Sequence, residues 1–279
     1  RSGPADLDRD VEMLTLDPRL VTADQLQALR AQGVDTVCHV NAGTIAETDP
    51  GFSDLPPAVI GSAHKTRPNE RYLDIRRVQM VVPVITQQIV ACKNQGFTAI
   101  EPDGLDAYAQ DSNFPLTAAD TVHYATTLAH VAHGLGLRIA QKNIPELTEA
   151  LLPHFDFAIT ESCFETGTCE QIAAYPKANK PAFNAEYTDA DIDFAKACAE
   201  GARLNINMIR KDRPVTAPVA GLVTSAVRSD VPTNGLPSPT TSAFEISGSW
   251  RMISSIGPGE TFLPPAVTIR SFLRPVMDT

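Results

Sequence analysis

From Val11 to about Arg213, short apolar runs alternate with helix-like stretches, the pattern of a mostly parallel sheet wrapped by helices. Seven runs read as strands: VEMLTLD (11–17), TVCHVNAG (36–43), FTAIEPD (97–103), LRIAQKN (137–143), FDFAITES (155–162), PAFNAEY (181–187) and RLNINMIRK (203–211). Between them lie amphipathic segments. In ADQLQALRAQG, Leu26 and Leu29 share a face and Gly33 suits the exit; in DTVHYATTLAHVAHGLG, Asp120 is the expected N-cap, with Gly134 and Gly136 at the end.

Several runs turn from apolar to polar at their C-terminal ends: Asp17, Asn41, Glu101 with Asp103, Lys142 with Asn143, Glu161, and Glu186. In a parallel barrel all strand C-termini open on one rim, which carries the active site. The expected fold is therefore α/β, a mostly parallel sheet wrapped by helices over residues 1–214, with its polar strand ends on one rim. Residues 215–279 break the pattern: Pro, Ser, Thr and Gly make up 30 of these 65 positions, and the segment reads as a tail of uncertain structure.

A length of 279 residues fits one barrel domain, and 43% hydrophobic with 20% charged residues suffices for a core. The 23 basic and 33 acidic residues leave −10, all of it in residues 1–214, which disfavours nucleic acid and anionic membranes and suits a cationic partner. No apolar run is long enough to span a bilayer. The chain opens on Arg1-Ser2-Gly3-Pro4, which reads as a mature form or a fragment. Of five cysteines only Cys163 and Cys169 lie close together; they are expected to form a local disulfide, and hence an exported protein.

The densest chemistry is GFTAIEPDGLDAY, where Glu101, Asp103 and Asp106 crowd one strand end and require a raised pKa or a nearby cation: Lys142, a metal or the substrate. Asp103 and Glu161 on facing sides of a cleft would supply the carboxylate pair of glycoside hydrolysis. His130 and His133 share a predicted helix, but no strand-end histidine joins them, and no metal site or cofactor is expected.

ERYLDIR, GFTAIEPDGLDAY, FPLTAAD, FDFAITESCFETGTCE and KPAFNAEY, in this order, resemble glycoside hydrolase family 114, the endo-α-1,4-polygalactosaminidases. The resemblance runs to about Arg213. It implies an α/β (β/α)8 TIM barrel, secreted or on the cell surface, that cuts α-1,4-linked galactosamine-containing exopolysaccharide, with Asp103 and Glu161 as its catalytic residues. A cationic galactosamine polymer suits an acidic rim of Asp17, Asp74, Glu101, Asp106 and Glu186. Tyr108 and Tyr187 offer faces for sugar rings, and Lys142 and Asn143 bonds to hydroxyls or to a carboxylate. A monomer is expected.

The chain departs from the family pattern at Gly104, where the family has Asn, and lacks the Arg and Trp expected in TIAETDPGF, the Arg of the helix QQIVACKNQG and a Trp before Tyr72. These losses make a polysaccharide-binding barrel without hydrolysis the alternative. A third reading places a metal among Glu101, Asp103 and Asp106. The chain is expected to begin just after the family's first barrel strand, and the segment Ala243–Ser247 of the tail to fill its slot.

Overall fold

The computed structural model describes residues 11–212 and 252–255. Strands are β1 (Met13–Leu16), β2 (Asp35–Asn41), β3 (Thr44–Ala46), β4 (Ile60–Ala63), β5 (Glu70–Leu73), β6 (Ala99–Asp103), β7 (Arg138–Lys142), β8 (Phe157–Glu161), β9 (Ala182–Tyr187), β10 (Asn207–Lys211) and β11 (Met252–Ser255). The main helices are α1 (Ala23–Ala31), α2 (Val78–Gln95) and α3 (Ala118–Gly134), with short α4 (Thr148–Leu151), α5 (Cys163–Thr166), α6 (Cys169–Ile172) and α7 (Ala174–Lys177) before α8 (Phe194–Leu204).

All seven strands expected from the apolar runs form, and they pair in parallel in the order β10-β9-β8-β7-β6-β2-β1. β11 completes an eighth place by pairing in parallel with β1, Met13 opposite Met252 and Leu16 opposite Ser255. It also lies against β10, so the curled sheet approaches closure into a (β/α) barrel. The strand in the vacant slot is thus Met252–Ser255 and not Ala243–Ser247, which falls outside the described residues; apart from β11, so does the tail. A three-stranded antiparallel sheet, β3-β5-β4, was not anticipated. It grows from the loops between β2 and α2.

Alternation along the strands sorts the side chains into two sets. Met13, Val37, Ala99, Ala140, Phe157, Ile159 and Phe183 form a separate buried cluster that plugs the lower lumen. Phe157 and Phe183 meet edge to face with centroids 6.4 Å apart, each contributing about 1.5–3 kcal/mol by burial. The opposite parity, including Leu14, Cys38, Ile100, Ile139 and Ala158, packs under the helices in the larger core.

Local signals fix the helix ends. Thr22 and Gln25 form a capping box on α1, and Gly33 follows it at φ +80°. On α3 the cap is Thr117, with Asp120 returning to its backbone as the third helical residue, so the expected N-cap sits one turn further in. Cys163–Cys169 is bridged, and a second disulfide, Cys38–Cys92, ties β2 to α2 across 54 residues. The fifth cysteine, Cys198, is buried on α8.

Candidate active site

The inward parity of the strands determines which polar ends reach the lumen. Above the apolar plug, β2 presents His39, β6 presents Glu101 and Asp103, β7 Lys142, β8 Glu161, β9 Tyr187 and β10 Lys211. Lys142 is the hub. Its Nζ donates to Oε1 of Glu101, which is wholly buried one layer down, and stands 3.7 Å from Oε1 of Glu161. Burial opposes the charge on Lys142, but Glu101, Glu161 and Asp103 outweigh it and raise its pKa well above the usual lysine value.

Glu161 is held from three sides. Lys142 lowers its pKa most, and Tyr187 adds a 2.5 Å hydrogen bond from its hydroxyl to Oε1; burial works against both. Asn143, at φ +52°, accepts the Glu161 backbone N–H through Oδ1 at 2.9 Å. Asp103 is held more strongly still. Burial would raise its pKa, yet His39, Lys142 and Arg67 drive it far below the ordinary carboxylate range. Nε2 of His39 lies 3.4 Å from Oδ2 of Asp103. Lys211 contributes the reverse case: burial pushes it down to about 8, against the pull of Glu161.

The loop ends of β2 and β6 are locked backbone to backbone. Ala42 and Gly43 donate their N–H groups to the Asp103 carbonyl at 2.9 and 3.0 Å. A Cβ on Gly43 would stand 1.8 Å from the Gly104 carbonyl oxygen. Gly104 itself adopts φ +79°, where an L side chain is strained. Glycine at 104 therefore suits the close approach of this strand end to Gly43.

Of the expected site residues, Asp103, Glu161, Lys142 and Tyr187 converge. Tyr187 is engaged through its hydroxyl with Glu161. Glu101 and Asn143 serve from below and behind, one pairing Lys142 and the other holding the Glu161 backbone. Glu186 is placed elsewhere: it has the outward parity of β9, is fully buried, and accepts from the Phe164 N–H and Asn184 Nδ2, both at 2.7 Å. Burial raises its pKa, and it anchors the disulfide loop after β8. Asp74 is occupied by Arg76 at 2.7 Å and Arg77 at 3.8 Å, fixing the turn into α2. Asp17 is near His39 on the rim but forks onto Arg19, at 3.0 Å from Nε and 2.7 Å from Nη2. Asp106 accepts from Gln110 at 2.7 Å, and Tyr108 donates to Glu146. No group of three metal-ligating side chains occurs among the described residues, and Glu101 is already paired with Lys142.

Sequence reasoning missed His39, Lys211 and Arg67. His39 lies one inward step below Asn41, so the parity of TVCHVNAG was its signal; Lys211 ends the last run in the same way. Arg67 comes from the β4–β5 loop, where it bonds Glu70 at 2.9 Å while its charge acts on Asp103. Beside it His64 and Tyr72 stack at 5.3 Å.

Comparison with known proteins bears on this arrangement. The family model described as Glycoside-hydrolase family GH114 matches residues 2–229. No curated protein matches the chain. Among solved structures, Aspergillus fumigatus Ega3 in complex with galactosamine is 22% identical, with a TM-score of 0.69 over 75% of this chain and 88% of that one. The glycoside hydrolase domain of PelA from Pseudomonas aeruginosa is 13% identical, with a TM-score of 0.57 over 76% and 92%. At these identities the likeness is one of fold.

Proposed function

From the premise that the chain belongs to glycoside hydrolase family GH114, we propose that it hydrolyses α-1,4-linked galactosamine-containing polymer with Asp103 and Glu161 as the carboxylate pair. The observation that carries this reading is the pair itself: two carboxylates on the lumen rim, on strands either side of β7, both in the field of one buried lysine.

The two carboxylates are unequally disposed to protonation. Asp103 is the more covered, at 22% side-chain exposure against 33% for Glu161, and the more strongly held ionised. Asp103 therefore stands as the anion facing the anomeric carbon as that carbon gains positive charge. Glu161 is the proton carrier: it protonates the glycosidic oxygen, the C1–O bond breaks, and water supplies the hydroxyl to C1 and returns a proton to Glu161. Tyr187 and Lys142 keep Glu161 aimed during the exchange.

The polymer is supported by charge and by likeness. An excess of ten negative charges attracts a chain of ammonium groups, and the solved structure of Ega3 holds galactosamine. Two disulfides suit a protein acting outside the reducing cytosol, on exopolysaccharide.

The test is reducing-end release from partly deacetylated galactosamine polymer by the native chain, Asp103→Asn and Glu161→Gln, each checked for folding. The native chain is expected to cut, and each variant to lose about 10²-fold or more. With an activated aryl galactosaminide, whose leaving group needs no proton, Glu161→Gln should recover the bond-breaking step and Asp103→Asn should not. For the polymer, kcat/KM should decline as pH rises through the Glu161 titration, placing the optimum on the acid side of neutrality. A folded native chain that binds the polymer and releases nothing would replace this reading with a non-hydrolytic barrel.

A further inference from the structure

His39 is an imidazole on the inward face of a barrel strand, and the hydrolysis described above gives it no step. It sits on the inward face of β2, with Glu101 as its cross-strand partner and Asp103 diagonal to it. Its Nε2 is buried and makes no aligned hydrogen bond; Oδ2 of Asp103 stands 3.4 Å from it. A buried ring nitrogen beside one oxygen of a single carboxylate is a costly arrangement to leave unpaired.

We infer that His39 is the positioning residue of Asp103, holding Oδ2 through an imidazole N–H so that the carboxylate stays ionised and presents its other oxygen to the sugar. This rests on the reading of Asp103 as the ionised member of the pair. The groups facing His39 agree with it. Asp103 and Glu101 come from β6, Asp17 follows β1 and Lys142 comes from β7, with Glu161 of β8 on the far side of that lysine. Burial opposes the imidazolium, Lys142 opposes it further, and Asp103 with Glu101 overcomes both to raise its pKa. In turn, His39 is the foremost of the groups that hold Asp103 down.

Two measurements test the role. The first needs no substrate: the His39 ring is titrated by NMR in the native chain and in Asp103→Asn, its signal identified by its loss in His39→Gln. The midpoint is expected to drop when Asp103 loses its charge; an unchanged midpoint overturns the inference. The second is the pH profile of polymer hydrolysis for His39→Gln, which keeps a donor, and His39→Phe, which keeps only bulk. Removing the group that favours ionised Asp103 raises the Asp103 pKa, so the acid limb of kcat/KM should move to higher pH in both, further for Phe. Lost positioning should lower kcat by up to about 10²-fold with KM little changed, and Gln should retain more than Phe. If Phe does not fold, the Gln profile stands alone. An equal loss at every pH with unmoved limbs would reduce His39 to packing. Absence of hydrolysis by the native chain strikes the proposed function instead, and leaves the NMR midpoint to decide the contact.

Discussion

Burying Lys142 beside Glu101 strips both of water, and their pairing is what offsets that cost. Removing one partner strands the other. Lys142→Met is therefore expected to lower stability by about 3–5 kcal/mol, and Lys142→Met with Glu101→Leu to regain most of it, as read by denaturant unfolding; neither should support hydrolysis, since Glu161 loses its principal cation. Equal stability of the single and double variants would show that the pair is not the buried unit described. At this scale much was legible in the sequence. Asp103, Glu161 and Lys142 end strands on the inward parity, and an apolar-to-polar switch betrays them. The errors came from counting polar ends without parity: Glu186 and Tyr187 are neighbours on one strand and cannot share a face. His39 was overlooked because it precedes its strand's end, and Cys38–Cys92 because pairing across 54 residues depends on how β2 meets α2.

At the scale of elements, β11 decides whether β1 has an open edge. β1 is a four-residue strand, buried along its length, with β2 on one side and β11 on the other. An unpaired edge there would leave its backbone groups unsatisfied and ready to pair with another chain. A chain ended after Ser247 should melt lower and aggregate on heating, while one ended after Gly259, which keeps Met252–Ser255, should behave as the full chain. Scattering and thermal melts distinguish them, and identical behaviour would mean that β11 contributes nothing to closure. The seven barrel strands were legible because parallel strands buried on both faces are continuous apolar runs. β11 was misplaced by nine residues because AFEIS and MISS both read as short apolar stretches, although only MISS shows the apolar-to-polar switch of its fellows. The three-stranded sheet was illegible: its strands are short and set by pairing between loops.

For the whole molecule, titration couples the site to stability. Asp17, Asp103 and Glu161 are all held below their ordinary values in the folded chain. Their contribution is present above the unfolded carboxylate pKa and is lost as pH falls through the folded values. Lys211 has the opposite slope in another window. With a folded pKa of about 8 against 10.5, the unfolded chain binds more protons between these values, so stability rises with pH there. Chemical denaturation across pH should show both limbs, and Lys211→Met should flatten the alkaline one; a flat alkaline limb in the native chain would count against a buried Lys211. The closing strand also imposes a schedule. Met13 is among the first described residues made and Met252 among the last, yet they are partners in the ladder. On a ribosome adding about 5–20 residues per second, β1 emerges and then waits on the order of tens of seconds for the neighbour that covers it. During that interval the growing chain carries β1 with one edge uncovered, open to pairing with another chain.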